Sequence, residues 1–140
     1  MRVLLDTCVL SELYRPAPLE SVRAAVNRLP DEYLFLSVIT LGEIGKGIAL
    51  LPDSRRRQDS SAWFANLQHA HTDRILSVDP ETAAIWGEIT AVAQRRGVVL
   101  ASADGLIAGT ALRHGQHLMT RNAKDIQNTG VLLQNPWDET

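Results

Sequence analysis

Val3-Leu4-Leu5-Asp6-Thr7 is the stretch from which the fold of this chain can be read. Three apolar residues in a row, with no polar alternation, suit a strand buried on both faces, as in a parallel sheet covered by helices. Asp6 and Thr7 then end the run, and such residues cap a helix. That helix runs to about Tyr14, where Pro16 and Pro18 break it. The same unit recurs downstream. Val22, Ala25, Val26 and Leu29 fall at helical spacing, predicting a helix over 19–29. Leu34-Phe35-Leu36, Ile75-Leu76-Ser77-Val78, His117-Leu118-Met119 and Val131-Leu132-Leu133 read as further strands. Between them lie helices over 41–51, opened by Thr40 and stopped by Pro52, and over 54–71. Two more cover 80–96, with Pro80 in the first turn, and 103–114, closed by Gly115. Strands alternating with helices predict an α/β fold: a central parallel β-sheet flanked by α-helices on both faces.

Composition bounds the rest. A chain of 140 residues with 45% hydrophobic content can build one core, so a single domain over 1–140 is expected, without repeats or linkers. The net charge of −2 provides no protein-wide basic field, so contact with nucleic acid must come from local patches. Cys8 is the single cysteine and cannot form an internal disulfide, which fits a cytoplasmic location. No apolar run approaches the roughly 20 residues that span a bilayer, so no membrane association is expected. The few apolar residues before Asp6 are too short for a signal-peptide core.

Open parallel α/β sheets bind ligands outside the carboxyl ends of their strands, and several acids of this chain fall there. Asp6 directly follows Val3-Leu4-Leu5; a helix N-cap would place it equally well. Glu43 lies soon after the second strand, but Thr40-Leu41-Gly42-Glu43 also matches a capping box, in which Glu reaches back to a backbone N–H. Asp104 opens the helix carrying Leu106, Ile107, Ala108 and Ala111, where an acid is favoured by the helix dipole. Ala101, Ser102, Ala103, Gly105 and Gly109 crowd around it and allow close packing. Asn122 and Asp125 follow the fourth strand and also suit a turn. Recurring after successive strands, these side chains would meet at one edge of the sheet. Oxygen donors without His or Cys partners suit Mg²⁺ or Mn²⁺ and not zinc. His69 and His71 share no helical face, and His114 and His117 flank a turn.

Four segments carry a resemblance to a known family. Leu4-Leu5-Asp6-Thr7-Cys8-Val9-Leu10-Ser11-Glu12 resembles the opening of bacterial VapC toxins, which are PIN-domain ribonucleases. Residues 37–47, Ala103-Asp104-Gly105-Leu106-Ile107-Ala108 and Leu118-Met119-Thr120-Arg121-Asn122 resemble the family's second, third and fourth motifs. Asn135-Pro136-Trp137 resembles the ending of its FitB-like branch. The resemblance implies a PIN fold and a Mg²⁺- or Mn²⁺-dependent endoribonuclease, the toxin of a type II toxin–antitoxin pair. It further implies Asp6, Glu43 and Asp104 as catalytic, metal-binding acids, a VapB-like antitoxin, a homodimer and a structured RNA target such as a tRNA. Two positions depart from the pattern. Cys8 stands where Asn or Ser is usual, and Asn122 where Asp is common, so Asn122 and Asp125 are both candidates for a further metal contact.

Thr7 and Thr120 are candidate hydrogen-bond donors to substrate, and Lys46 and Arg121 candidate phosphate contacts beside the motifs. Arg55-Arg56-Arg57 is a charge run of the kind that usually solvates a helix. Trp63 and Trp86 have apolar helical neighbours, which suits packing. The helix after Asp6 and the segment 44–51 could together present an apolar groove to a partner helix. Among rivals, a receiver-like phosphoacceptor needs adjacent acids after the first strand, where this chain has Asp6-Thr7. A haloacid-dehalogenase phosphatase needs Asp at position 8. A PIN nuclease that processes RNA without an antitoxin remains a direct alternative.

Overall fold

Val3, Leu4 and Leu5 are at most 1% exposed, as a central strand with both faces covered requires. The computed structural model describes residues 1–138. Its strands are β1 (Val3–Leu5), β2 (Leu34–Ser37), β3 (Ile75–Leu76), β4 (His117–Met119) and β5 (Leu133–Gln134). They form one parallel sheet in the order β3-β2-β1-β4-β5. Val3 pairs with Leu34 on one side and His117 on the other. The chain first builds outward from β1 through β2 to β3, then crosses to the other side of β1 for β4. Strand order therefore reverses between β1 and β4, the switch point where such sheets open a crevice.

The helices are α1 (Thr7–Tyr14), α2 (Glu20–Asn27), α3 (Val38–Ala49), α4 (Arg55–Ala70), α5 (Pro80–Arg95), α6 (Ser102–His114) and the short α7 (Ala123–Ile126). Alternation along β1 sorts them into two layers. Val3 and Leu5 pack with Val9, Leu10, Val22, Val26 and Ile44, and with Phe64 and Leu67 of α4. Leu4 faces the opposite way, onto Ile107, Ala108 and Ala111 of α6 and Ile126 of α7, with Ile89 of α5 behind them. The α/β fold, with helices on both faces of a parallel sheet, is the one expected.

Three boundaries differ from the sequence reading. α3 begins at Val38, because Ser37 at the end of β2 caps it by accepting a hydrogen bond from the Ile39 N–H at 3.0 Å. Thr40 is thus inside the helix and fully buried, and no capping box forms between Thr40 and Glu43. The last strand is displaced to Leu133–Gln134, where it pairs with Leu118 and Met119; Val131 instead enters the core and Leu132 points outward. The third strand is limited to Ile75–Leu76, the residues that pair with Leu36 and Ser37. α6 ends as expected at Gly115, whose φ of +63° suits glycine.

The small residues around Asp104 have a packing reason. A Cβ on Gly105 would stand 2.9 Å from Cδ1 of the Trp86 ring, so α5 and α6 approach through that glycine. Gly105→Val should cost about 2 kcal/mol of stability, the usual scale of overpacking a core. An unchanged urea midpoint in equilibrium unfolding would show that Trp86 can move aside freely.

Candidate functional site

The carboxyl edge of β1 and β4 carries a cleft of about 570 Å³ whose lining includes Asp6, Thr7, Cys8, Glu43, Asp104, Arg121 and Asn122. Asp6 is fixed by its neighbours on both strands. Its N–H continues the sheet by donating to the Met119 carbonyl at 3.0 Å. Its carboxylate accepts from the Thr7 N–H at 2.7 Å and from the Thr120 hydroxyl at 2.6 Å, and the Cys8 thiol lies 3.7 Å away. Asp6 therefore does both things the sequence left open: it caps α1, and it stands in the cleft. At 3% exposed, it offers the cleft a carboxylate held rigidly by donors.

Glu43 comes from the second turn of α3. Instead of reaching back to a backbone N–H, it accepts a hydrogen bond from the Thr7 hydroxyl at 2.7 Å. Thr7 also lies 3.1 Å from the Thr40 hydroxyl, so α1 and α3 are tied across the mouth of the cleft.

Asp104 is placed by the first turn of α6, where the helix dipole favours an acid. Its half-buried carboxylate accepts no hydrogen bond among the described residues. Its pKa is raised above the ordinary carboxylate value, first by burial and then by the charges of Asp6, Glu43 and Asp125. One group thus feels acids from three other segments, which become its neighbours only through the fold.

The remaining expected residues divide. Asn122 lines the cleft, with its N–H donating to the Thr120 hydroxyl at 3.0 Å. Asp125 acts on Asp104 through its charge but lines a different hollow, beside Ile89 and Arg96. Arg121 lines the cleft, whereas exposed Lys46 lies one turn beyond Glu43 and is not part of the lining. Thr120 differs from the expected substrate donor: it is fully buried, donates its hydroxyl to Asp6 and is not part of the cleft lining, so it supports that carboxylate.

Cys8 takes the position where the resembling family has a polar side chain. Burial and then the Asp6 charge push its thiol up to about 11, so it stays neutral at physiological pH. Its sulfur accepts from the Arg121 N–H at 3.4 Å, tying the β4 loop to α1. Sequence reasoning missed Ser11, Glu12 and Arg15 in the lining and gave Trp137 no role there. The signal for Arg15 was its place at the end of the helix that Asp6 opens. Nothing local marks Trp137.

Among the described residues, no three Asp, Glu, His or Cys side chains are grouped so as to hold a metal ion by direct contact. The donor set nonetheless fits a hard, hydrated cation. Mg²⁺ uses one or two carboxylates and keeps several waters, and Asp6 and Asp104 are carboxylates in an acid-rich, open cleft.

Beside the cleft runs a second, more apolar groove of about 670 Å³ between α1, α3 and α4. Tyr14, Ile44, Ile48, Leu51 and Trp63 supply its apolar lining, and the Tyr14 and Trp63 rings stack at 4.3 Å. It shares Thr7, Ser11, Arg15 and Glu43 with the cleft. Of the run 55–57, Arg56 lines this groove, while Arg57 donates to the Leu51 carbonyl at 3.4 Å.

Known proteins share this fold. The PIN domain family matches residues 3–131. The VapC ribonuclease Y4jK of Sinorhizobium fredii is 33% identical, over 97% of this chain and 98% of its own. Toxin FitB of Neisseria gonorrhoeae is 36% identical, over 98% of this chain and 99% of its own. The crystal structure of FitAcB from Neisseria gonorrhoeae superimposes with a TM-score of 0.91 at 36% identity, covering 97% of this chain and 99% of that one. The structure of FitAB bound to an IR36 DNA fragment gives 0.93 at 35% identity, covering 99% and 97%. The fold around the β1–β4 crevice is thus a shared one, and this chain belongs to the PIN-domain family, alongside the VapC ribonuclease Y4jK and the FitB toxin.

Proposed function

We propose that the chain is the ribonuclease toxin of a toxin–antitoxin pair, and that its cleft hydrolyses RNA phosphodiesters with a bound Mg²⁺ or Mn²⁺. Asp104 carries the proposal: a half-buried carboxylate with no hydrogen-bond donor among the described residues, its pKa raised by burial and by three other acids. Such a group is costly to leave charged and suits a cation. Asp6 and Asp104 would hold the ion, with Glu43, Asn122 and, through its field, Asp125 around them. A divalent ion there supplies an activated water and neutralises charge on the phosphate.

The chain's own residues do the positioning. Thr120 and the Thr7 N–H hold Asp6 in one orientation. The Thr7 hydroxyl holds Glu43 toward the cleft, where it can orient water. Arg121 lines the cleft and would meet a phosphate oxygen, while Lys46, one turn along α3 from Glu43, would at most attract RNA at longer range. A tRNA or another structured RNA with an exposed loop is the target class we favour, following the family resemblance.

The apolar groove supports a VapB-like antitoxin as partner. A helix lying in it would reach the mouth of the cleft through the residues shared by the two. Two solved relatives are FitAcB and FitAB, the latter bound to a DNA fragment. No helix among the described residues is long and apolar enough to cross a membrane, and cytoplasmic action on RNA, by a homodimer as in the resembling family, fits this role.

Expressing the wild-type chain without an antitoxin should arrest growth of a bacterial host, and expressing Asp6→Asn should not. Growth arrest relieved by co-expressing a short DNA-binding protein from the neighbouring gene would identify the antitoxin. Unimpaired growth in cells holding folded, RNA-cleaving protein would favour the RNA-processing nuclease instead.

A further inference from the structure

The cleft continues past the acids. Beyond Arg121 it opens into a hollow of about 280 Å³ lined by Glu12, Arg15, Ala17, Leu19, Arg121 and Trp137. Glu12, Arg15, Arg121 and Trp137 line the acidic cleft as well, so the two spaces are continuous. The sign of the charge changes along this path, from carboxylates at the strand ends to two guanidinium groups.

Those two groups are available. Arg15 pairs with Glu12 at 3.3 Å yet leaves its side chain 67% exposed. Arg121 has no carboxylate within ion-pair distance among the described residues. Its guanidinium carbon stands 5.7 Å from the centre of the Trp137 ring. The backbone beneath this pair is tied down on each side. Arg121 donates its N–H to the Cys8 sulfur at 3.4 Å, and its carbonyl accepts from Asn135 Nδ2 at 3.4 Å. Asn135 Oδ1 accepts from the Trp137 N–H at 3.0 Å, and Asn135 Nδ2 also donates to Asp138 at 3.1 Å. The Asn135-Pro136-Trp137 turn thus ties the backbones of Arg121 and Trp137 together at the cleft's edge, while the indole, only partly buried, packs against the core around Val3 and Leu5 and still lines the hollow.

We propose that this hollow is a nucleotide subsite: it receives the nucleotide adjoining the cleaved phosphodiester in single-stranded RNA. The base lies against the Arg121–Trp137 pair, and a phosphate of the same strand sits between Arg15 and Arg121. Unpaired bases are recognised by stacking on aromatic rings and on arginine planes, whereas a duplex keeps those faces covered. The subsite rests on the reading of the acidic cleft as the place where RNA is cut. It adds a choice of single-stranded segments that the acids cannot make.

The test uses the full chain carrying Asp104→Asn, which blocks cleavage. Fluorescence anisotropy would measure its binding to labelled heptauridine and to an abasic ribose-phosphate strand of equal length. Heptauridine should bind about tenfold more tightly, as one stacked base allows. Trp137→Leu in the same background should bring the two affinities together, Trp137→Phe should keep most of the difference, and Arg121→Ala should weaken both. Comparing two RNAs on one protein separates stacking from any loss of folded protein. A base-to-abasic ratio unchanged by Trp137→Leu would overturn the subsite and leave Trp137 a packing residue. Equal binding of both strands before any Trp137 change would overturn it too. Loss of RNA cleavage by the wild-type chain would instead remove the nuclease reading beneath it.

Discussion

Asp104→Asn should abolish RNA cleavage and, in the same protein, raise the melting temperature of the metal-free form. Both effects come from the surroundings of one carboxylate. Burial and the charges of Asp6, Glu43 and Asp125 disfavour its ionised form, which shows in its raised pKa. Asparagine is nearly isosteric and carries no charge, so it removes the repulsion. The gain in metal-free melting temperature should be about 2 °C or more. The loss of activity should exceed the roughly 10–100-fold that follows removal of an outer partner of a metal site. pH gives a second readout. A carboxyl whose folded pKa is raised contributes stability when protonated. That contribution is complete below its unfolded pKa and is lost as pH rises through the folded one. The advantage of Asp104→Asn over the metal-free wild type should therefore shrink on acidification and be greatest at neutral pH. Asp79, whose pKa is lowered chiefly by accepting the Thr82 N–H, has the opposite pH dependence in both proteins and cancels in the comparison. Melting curves across pH in EDTA measure it. A lower melting point for Asp104→Asn would mean that the acids do not repel one another there.

Glu43→Gln should also cost most of the cleavage activity, with little change in melting. Had Glu43 completed a capping box, its loss would be expected to cost about 1 kcal/mol and leave the chemistry intact. Ser37 performs the capping instead, and Glu43 is bonded to Thr7 at the cleft mouth. Glutamine can still accept the Thr7 hydrogen bond, so α1 and α3 stay tied while the charge is gone. Cleavage and melting measured on one sample decide the matter: retained cleavage with a lowered melting point would restore the capping role.

The parallel sheet was legible because β1 is a continuous apolar run and its neighbours repeat the pattern. The strand order was not, since no local signal says that β4 returns to the far side of β1. That crossing is what brings Thr120 to Asp6 and makes a crevice of two strand ends. Asp6 and Asp104 were placed correctly because strand ends and helix starts can be read from hydrophobic pattern and small residues. Thr40 misled because its spacing to Glu43 matches a capping box, whereas Ser37 caps the helix from the end of β2 and Thr40 is buried inside it. Thr120 was read as a hydrogen-bond donor to substrate, but its hydroxyl is buried against a carboxylate 114 residues away in sequence. Arg15, at the end of the helix that Asp6 opens, and Trp137, 122 residues later, meet at the cleft only in the folded chain.

The central claim is that these acids cut RNA through a divalent cation. The direct measurement is the rate of cleavage of a labelled single-stranded RNA by protein stripped with EDTA, followed as Mg²⁺ or Mn²⁺ is added back. The rate should be at background in EDTA, rise and saturate with either metal, and stay at background for Asp104→Asn throughout. Full-rate cleavage by the wild-type chain in excess EDTA would contradict the account.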